Sequence, residues 1–231
     1  MLKHLFYQGC FCYTSKMEVP KAIIFDIDGT LSPEISWTAL TRDLGASVED
    51  HIAIYQQYKK RQTDYAESKR QLIDLWQATG NASRNYFVSL FEGWPLAPEA
   101  PSIVERLAKK YSLCLITGSM DLYAQTVAQK LHVADYYANT TLHWDATGNL
   151  MDMDYELNQA KRKLEQFLSY CSLNGIKPED CIVVGDGDND IALFEASGRG
   201  VAIGSEIPES LRNVSWRTVQ TLDELPALVS S

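Results

Sequence analysis

Residues 21–30 read KAIIFDIDGT: an apolar run from Ala22 to Phe25, then Asp26 and Asp28 one residue apart, then Gly29 and Thr30. A short, unbroken apolar stretch without alternation is the pattern of a strand buried on both faces, and the glycine marks the turn that leaves it. The run recurs at 112–117 (SLCLIT), followed by Gly118 and Ser119, and at 181–185 (CIVVG), followed by Asp186-Gly187-Asp188-Asn189-Asp190. A fourth run at 200–204 (GVAIG) closes the strands read from the sequence. Amphipathic helices are expected at 100–110, 121–131 and 158–173 and from 191, with a hairpin at 140–144 and 149–153 around the turn at 145–148. Strands alternating with helices predict an α/β fold, a doubly wound, Rossmann-like parallel sheet.

Between residues 34 and 91 the pattern is helical, with Ile35, Leu40, Ile52, Tyr55, Leu72, Leu75 and Trp76 at helical spacings. Gly45, Thr79-Gly80-Asn81 and Gly93-Trp94-Pro95 mark breaks. This block interrupts the first crossover, so it is expected to form a helical cap at 34–94, with the α/β core at 21–33 and 95–231 and an extension at 1–20. Trp37, Trp76 and Trp94 are expected to pack the cap helices rather than line a pocket.

The chain has 231 residues, is 45% hydrophobic and 22% charged, and carries a formal charge of −9. That balance excludes a disordered chain or a disulfide-built miniprotein and disfavours nucleic acid as a partner, since an acidic surface repels phosphate backbones. A cationic pocket for a small phosphorylated metabolite stays open. No window is apolar enough to span a bilayer. The start, MLKHLFYQGCFCYTSKM, resembles a signal peptide in part, but Gln8 and Gly9 interrupt its apolar stretch; it reads as an extension, with Met17 as an alternative start. Five cysteines without framework spacing fit a reducing compartment, and Cys10-Phe11-Cys12 is too tight for a zinc knuckle, so a cytoplasmic protein is expected. His4, His51, His132 and His143 show no ligand spacing and are expected at the surface or at helix ends. Oligomeric state has no sequence signal.

In a sheet of this type, ligands bind outside the carboxyl ends of the strands. Three such ends carry unusual residues: Asp26 and Asp28; Thr117, Gly118 and Ser119; Asp186 and Asp190. Clustered carboxylates raise one another's pKa unless a hard divalent cation relieves the repulsion, and Mg²⁺ is the usual choice when phosphate completes its shell. Hydroxyl and amide donors near a helix start suit phosphate oxygens. One carboxylate can attack phosphorus while another moves the proton.

These residues match, in order, the four motifs of the haloacid dehalogenase superfamily: DIDGT at 26–30, ITGS at 116–119, a lysine near 161, and GDGDND at 185–190. The resemblance implies that Asp26 is a nucleophile forming an aspartyl-phosphate and that Asp28 is the general acid, then base. It further implies that Asp26, the Asp28 carbonyl and Asp186 hold Mg²⁺ with support from Asp190, and that Thr117 and Gly118 bind phosphate. Asp28 favours a phosphatase or phosphomutase over dehalogenase or ion-pump members. Lys161 and Lys163 both suit the third motif; Lys161, after the small Ala160 and with Leu164, Phe167 and Leu168 on its core side, resembles the pattern better. The insert between the first two motifs and GDGDND resemble the phosphoserine-phosphatase-like branch rather than the phosphoglycolate-phosphatase branch with its GDxxxD motif. In that branch a glutamate after motif one and a cap arginine hold the amino-acid substrate. Arg70 stands near the second position, while the first aligns with Ile35 and Glu34 is one residue away.

The expected function is therefore a Mg²⁺-dependent phosphomonoesterase. A phosphotransferase of the same superfamily, a receiver-like signalling domain and a noncatalytic phosphate binder are the alternatives. An EF-hand is excluded because Ile191 and Ala196-Ser197 stand where its loop needs glycine and glutamate.

Overall fold

The structure, a computed structural model, describes residues 19–229. The expectations for the first residues, including Met17, His4 and Cys10-Phe11-Cys12, lie outside that range. A seven-stranded sheet runs in the order β4-β3-β2-β1-β5-β6-β7. Its strands are β1 (Ala22–Phe25), β2 (Ser112–Met120), β3 (Asp135–Trp144), β4 (Leu150–Tyr155), β5 (Cys181–Gly185), β6 (Gly200–Ile203) and β7 (Arg217–Val219). Only the β3–β4 hairpin is antiparallel. In chain order the helices are α1 (Ser36–Leu44), α2 (Val48–Lys59), α3 (Tyr65–Gln77), α4 (Arg84–Gly93), α5 (Ala100–Ala108), α6 (Asp121–Leu131), α7 (Gln159–Asn174), α8 (Ile191–Ser197), α9 (Glu209–Val214) and α10 (Leu225–Leu228).

Every residue of β1 and of β5 is buried, as their unbroken apolar runs require of central parallel strands. The pleat divides β1 between two cores. Ile23 and Phe25 join the core that holds α5 and α6, while Ala22 and Ile24 join the core against α7 and α8. The helices before α5 share the first of these cores through Leu40, Leu72, Trp76 and Phe87. Three of them begin at a polar cap: Ser47, Asp64 and Ser83 accept the backbone N–H of Asp50, Glu67 and Tyr86.

Three features depart from the sequence reading. β7 adds a strand beyond β6, too short and too polar to register as an apolar run. β3 starts at Asp135, because its first residues pair in parallel with β2 before the hairpin begins. His51 is a core residue, not a surface one: its Nδ1 lies 2.6 Å from Thr41 Oγ1 and its ring meets Trp76 edge-on.

One proton assignment satisfies that cluster. Trp76 Nε1–H and a His51 Nδ1–H both donate to Thr41 Oγ1, which donates to the Trp37 carbonyl. Burial pushes the His51 pKa down from 6.5 to about 4. As pH falls through 6.5 the unfolded chain takes up a proton here, while the folded chain does so only near 4, so stability declines across that window. The slope from one such group is at most about 1.4 kcal/mol per pH unit. His51→Asn keeps a donor at the Nδ1 position but cannot titrate. Urea unfolding of the two proteins from pH 7 to pH 4.5 should show the wild type losing more stability than the variant; parallel curves would exclude this account.

Candidate active site

Register brings the predicted strand ends together. Phe25 is level with Leu115 of β2 and Val184 of β5, so Asp26, the next residue, lies beside Ile116 and Gly185, with Thr117 and Asp186 one step further. The Asp26 N–H continues the ladder to the Val184 carbonyl at 2.9 Å. Asp26, Asp28, Thr117, Gly118 and Asp186 all line one cleft of about 330 Å³. Asp190 sits beneath it, fully buried.

A buried ion cluster forms the floor. Lys163 Nζ lies 2.8 Å from Asp26 Oδ2 and 2.8 Å from Asp190 Oδ1, and its side chain is 0% exposed. Burial alone lowers the lysine's pKa, but the charges of Asp190 and Asp26 more than offset that, so Lys163 titrates above the ordinary lysine value. The other Asp26 oxygen accepts the Ile27 N–H at 2.7 Å. Asp186 is pushed up to about 7, by burial first and then by the negative charges of Asp26 and Asp190. Asp190 is likewise raised, by burial most of all.

Asp26, Asp186 and Asp190 each offer a carboxylate oxygen, all within 4.8 Å of one another. One lysine cannot neutralise three carboxylates, and Asp186 has no cation beside it in the described ion pairs. An all-oxygen set of this kind fits a divalent cation. Two glycines make the convergence possible. A Cβ on Gly29, which has φ 71°, would overlap the Asp186 carboxylate, and one on Gly185 would overlap that of Asp190.

Asp28 points elsewhere. Its Oδ2 accepts the Ser36 N–H at 2.9 Å and the Ser36 hydroxyl at 2.6 Å, at the start of α1. Its Oδ1 is buried with no hydrogen-bond partner among the described residues. Burial pushes Asp28 up to about 7; the Ser36 hydroxyl opposes the shift and the Asp26 charge adds to it. Ser36 Oγ also lies 2.5 Å from Ser119 Oγ, so α1, Asp28 and the end of β2 are tied at one point. Thr117 Oγ1 accepts the Ser119 N–H at 3.1 Å, which orders the turn carrying Gly118.

Two sequence expectations are corrected. Lys161, favoured for the third motif, is 71% exposed and faces Glu165 at 3.7 Å, while Lys163 reaches the aspartates. The buried face of α7 runs through Lys163, Gln166, Phe167, Tyr170 and Cys171, whereas Leu168 is exposed. Phasing that helix on Leu164, Phe167 and Leu168 turns it too far, since only Phe167 of these is fully buried. Arg70 does not reach the cleft. It lies on the outer side of α3, 60% exposed and engaged by Glu67 and Asp74, because the inner face runs through Ser68, Leu72 and Trp76. Glu34 is likewise paired with Arg42.

Trp76 and Trp94 are buried in the packing as expected, but Trp37, stacked on Trp76, also lines the cleft. Tyr155 and Gln159 line it too, without any sequence signal that would have marked them. Ser36 could have been found only as the hydroxyl opening a helix just after the paired aspartates.

The chain matches the family model for haloacid dehalogenase-like hydrolases over residues 20–198. It is 28% identical over 201 residues to a phosphoserine phosphatase of Albidiferax ferrireducens, covering 84% of each chain. It is 25% identical over 185 residues to a phosphoserine phosphatase of Methanocaldococcus jannaschii, covering 79% of this chain and 84% of that one. The fold resembles a solved phosphoserine phosphatase structure holding a phospho-aspartyl intermediate analogue. That likeness has a TM-score of 0.70 at 21% identity and covers 91% of this chain and 99% of the other.

Proposed function

Because the chain belongs to the haloacid dehalogenase-like hydrolase family, we propose that it is a Mg²⁺-dependent phosphomonoesterase acting on a small phosphorylated metabolite through an aspartyl-phosphate. The observation that carries this reading is the pairing of Asp26, fixed by Ile27 N–H and Lys163, with Asp28, fixed by Ser36, in one cleft with Thr117 and Gly118.

Both Asp26 oxygens keep a free acceptor site after these bonds, so a carboxylate oxygen can attack phosphorus. As the Asp26–phosphorus bond forms, the bond to the ester oxygen breaks, and Asp28 delivers a proton to that oxygen so that a neutral alcohol leaves. Asp28, now a carboxylate, takes a proton from water as the water oxygen attacks the phosphorus. Phosphate departs and Asp26 is regenerated. Lys163 holds Asp26 in place, and the Thr117 hydroxyl and Gly118 amide are donors for the phosphoryl oxygens. Mg²⁺, held by Asp26, Asp186 and the Asp28 carbonyl with Asp190 in support, would supply charge neutralisation to the phosphoryl group.

Phosphoserine is not favoured as substrate, since Ile35 lines the cleft where a glutamate would be needed and Arg70 does not line it. No helix among the described residues is long and apolar enough to cross a membrane. The free thiols of Cys114, Cys171 and Cys181 support a reducing, cytoplasmic setting.

Phosphate release from a panel of phosphomonoesters, with Mg²⁺ and with chelator, tests the proposal. Chelation should abolish release and added Mg²⁺ should restore it. Turnover indifferent to chelator, or no turnover from any phosphoester or acyl phosphate, would overturn the reading.

A further inference from the structure

Ile35, Trp37 and Tyr155 line both the aspartate cleft and a second cavity of about 390 Å³ beside it. The volume lies in the range of about 300–1,000 Å³ found for small-molecule sites. Ile52, Ile54, Leu72 and Met153 give this second cavity aliphatic walls. Tyr55, Tyr58 and Tyr65 add aromatic ones, and Tyr65 stacks on Tyr155.

Several polar groups in its lining are already engaged by the protein, and the Tyr55 and Tyr58 hydroxyls sit at the rims of aromatic walls. Thr38 Oγ1 donates to the Ile35 carbonyl, Ser68 Oγ pairs with Thr63 Oγ1, and His51 Nδ1 pairs with Thr41. The single charged lining residue among those described is Lys69, whose ammonium lies 2.8 Å from Asp152 Oδ1. A substrate ammonium would meet no acid in this lining, and a substrate carboxylate would compete with Asp152 for its one cation. Burying either group unpaired is strongly unfavourable.

We propose that this cavity receives the alcohol of the phosphomonoester, and that the alcohol is an uncharged, apolar chain or ring. The inference rests on the phosphomonoesterase reading and specifies its substrate class. A charged alcohol would have to turn to the more open cleft bordered by Lys59, Arg61 and Asp64, where the Asp64 carboxylate already caps α3 by accepting the Glu67 N–H at 2.9 Å.

The test is kcat/KM with Mg²⁺ for n-alkyl phosphates from ethyl to octyl, 1-naphthyl phosphate and phosphoserine, with acetyl phosphate as a small donor that cannot fill the cavity. Binding of the matching n-alkylphosphonates, followed by tryptophan fluorescence, gives a readout independent of turnover. The expected result is a rise of about two- to fourfold per added methylene until the cavity is full, with phosphoserine well below the longer esters. Affinities of the phosphonates should follow the same slope. Ile52→Glu, at a partly exposed wall position, should flatten both slopes. Turnover of acetyl phosphate with no chain-length slope, or with phosphoserine preferred, would overturn the cavity assignment and leave the phosphatase intact. Silence on every phosphate compound with chain-length-dependent phosphonate binding would overturn the phosphatase and keep the apolar site. Silence in both assays would overturn both.

Discussion

Asp26→Asn should lower turnover by about 10⁴-fold or more, the scale on which loss of a covalent nucleophile falls, while leaving the protein folded. The amide oxygen can still accept the Ile27 N–H that now bonds Oδ1 at 2.7 Å. What disappears is the anionic oxygen that, on the proposed mechanism, attacks phosphorus. The lysine beneath loses one of two carboxylates, but Asp186 and Asp190 lose a repelling neighbour, so the electrostatic changes oppose each other. The measurements are single-turnover phosphate release and trapping of the phosphoenzyme by acid quench from labelled substrate. Wild type should yield an acid-stable protein-bound phosphate and the variant none. A variant turning over within tenfold of wild type would remove Asp26 from the nucleophile's role.

Lys163→Met is expected to damage both the fold and the chemistry. Removing the cation from a fully buried cluster leaves two carboxylates facing each other without compensation, a loss on the order of 3–5 kcal/mol. The shape is nearly kept, so packing contributes little to the loss. The carboxylates should respond by holding a proton, so the variant's stability should recover as pH falls, opposite to the His51 effect described above. Where the variant remains folded, loss of the group that orients Asp26 should cut turnover by at least about 10²-fold. Lys161→Ala is the control: its ammonium is exposed and 3.7 Å from Glu165, and its removal should change stability by less than about 0.5 kcal/mol. Equal effects from the two lysines, in thermal melts and in kcat, would contradict the assignment.

Much of this geometry was legible in the sequence for physical reasons. Strands buried on both faces have no polar positions to spare, so β1, β2, β5 and β6 stood out as apolar runs, and parallel connectivity forces their carboxyl ends to one edge. Asp26, Asp28, Thr117 and Asp186 are therefore expected at one edge, and they line one cleft. The lysine was ambiguous because two candidates two residues apart lie on different sides of a helix, and only its rotation separates them. Tyr170 and Cys171 carry that information, but Leu164, Phe167 and Leu168 together suggest another phase. Arg70 failed in the same way, on a helix whose inward face begins two residues earlier. β7 escaped because three residues at a sheet edge need little apolar character. Tyr155 and Gln159 could not be anticipated, since what brings them to the cleft is the hairpin's return and the start of α7.

β1 is hydrogen-bonded on both sides and buried on both faces, so nothing short of global unfolding should free its amides. Asp26, the proposed nucleophile, thus directly follows a segment whose amides should exchange slowly. The walls of the apolar cavity belong largely to α2 and α3, near the periphery, where Ile52 and Tyr55 remain partly open to solvent. If the proposed reading holds, a descendant of this chain could change which alcohol it accepts through substitutions in α2 and α3, with the residues of the aspartate cleft inherited unaltered.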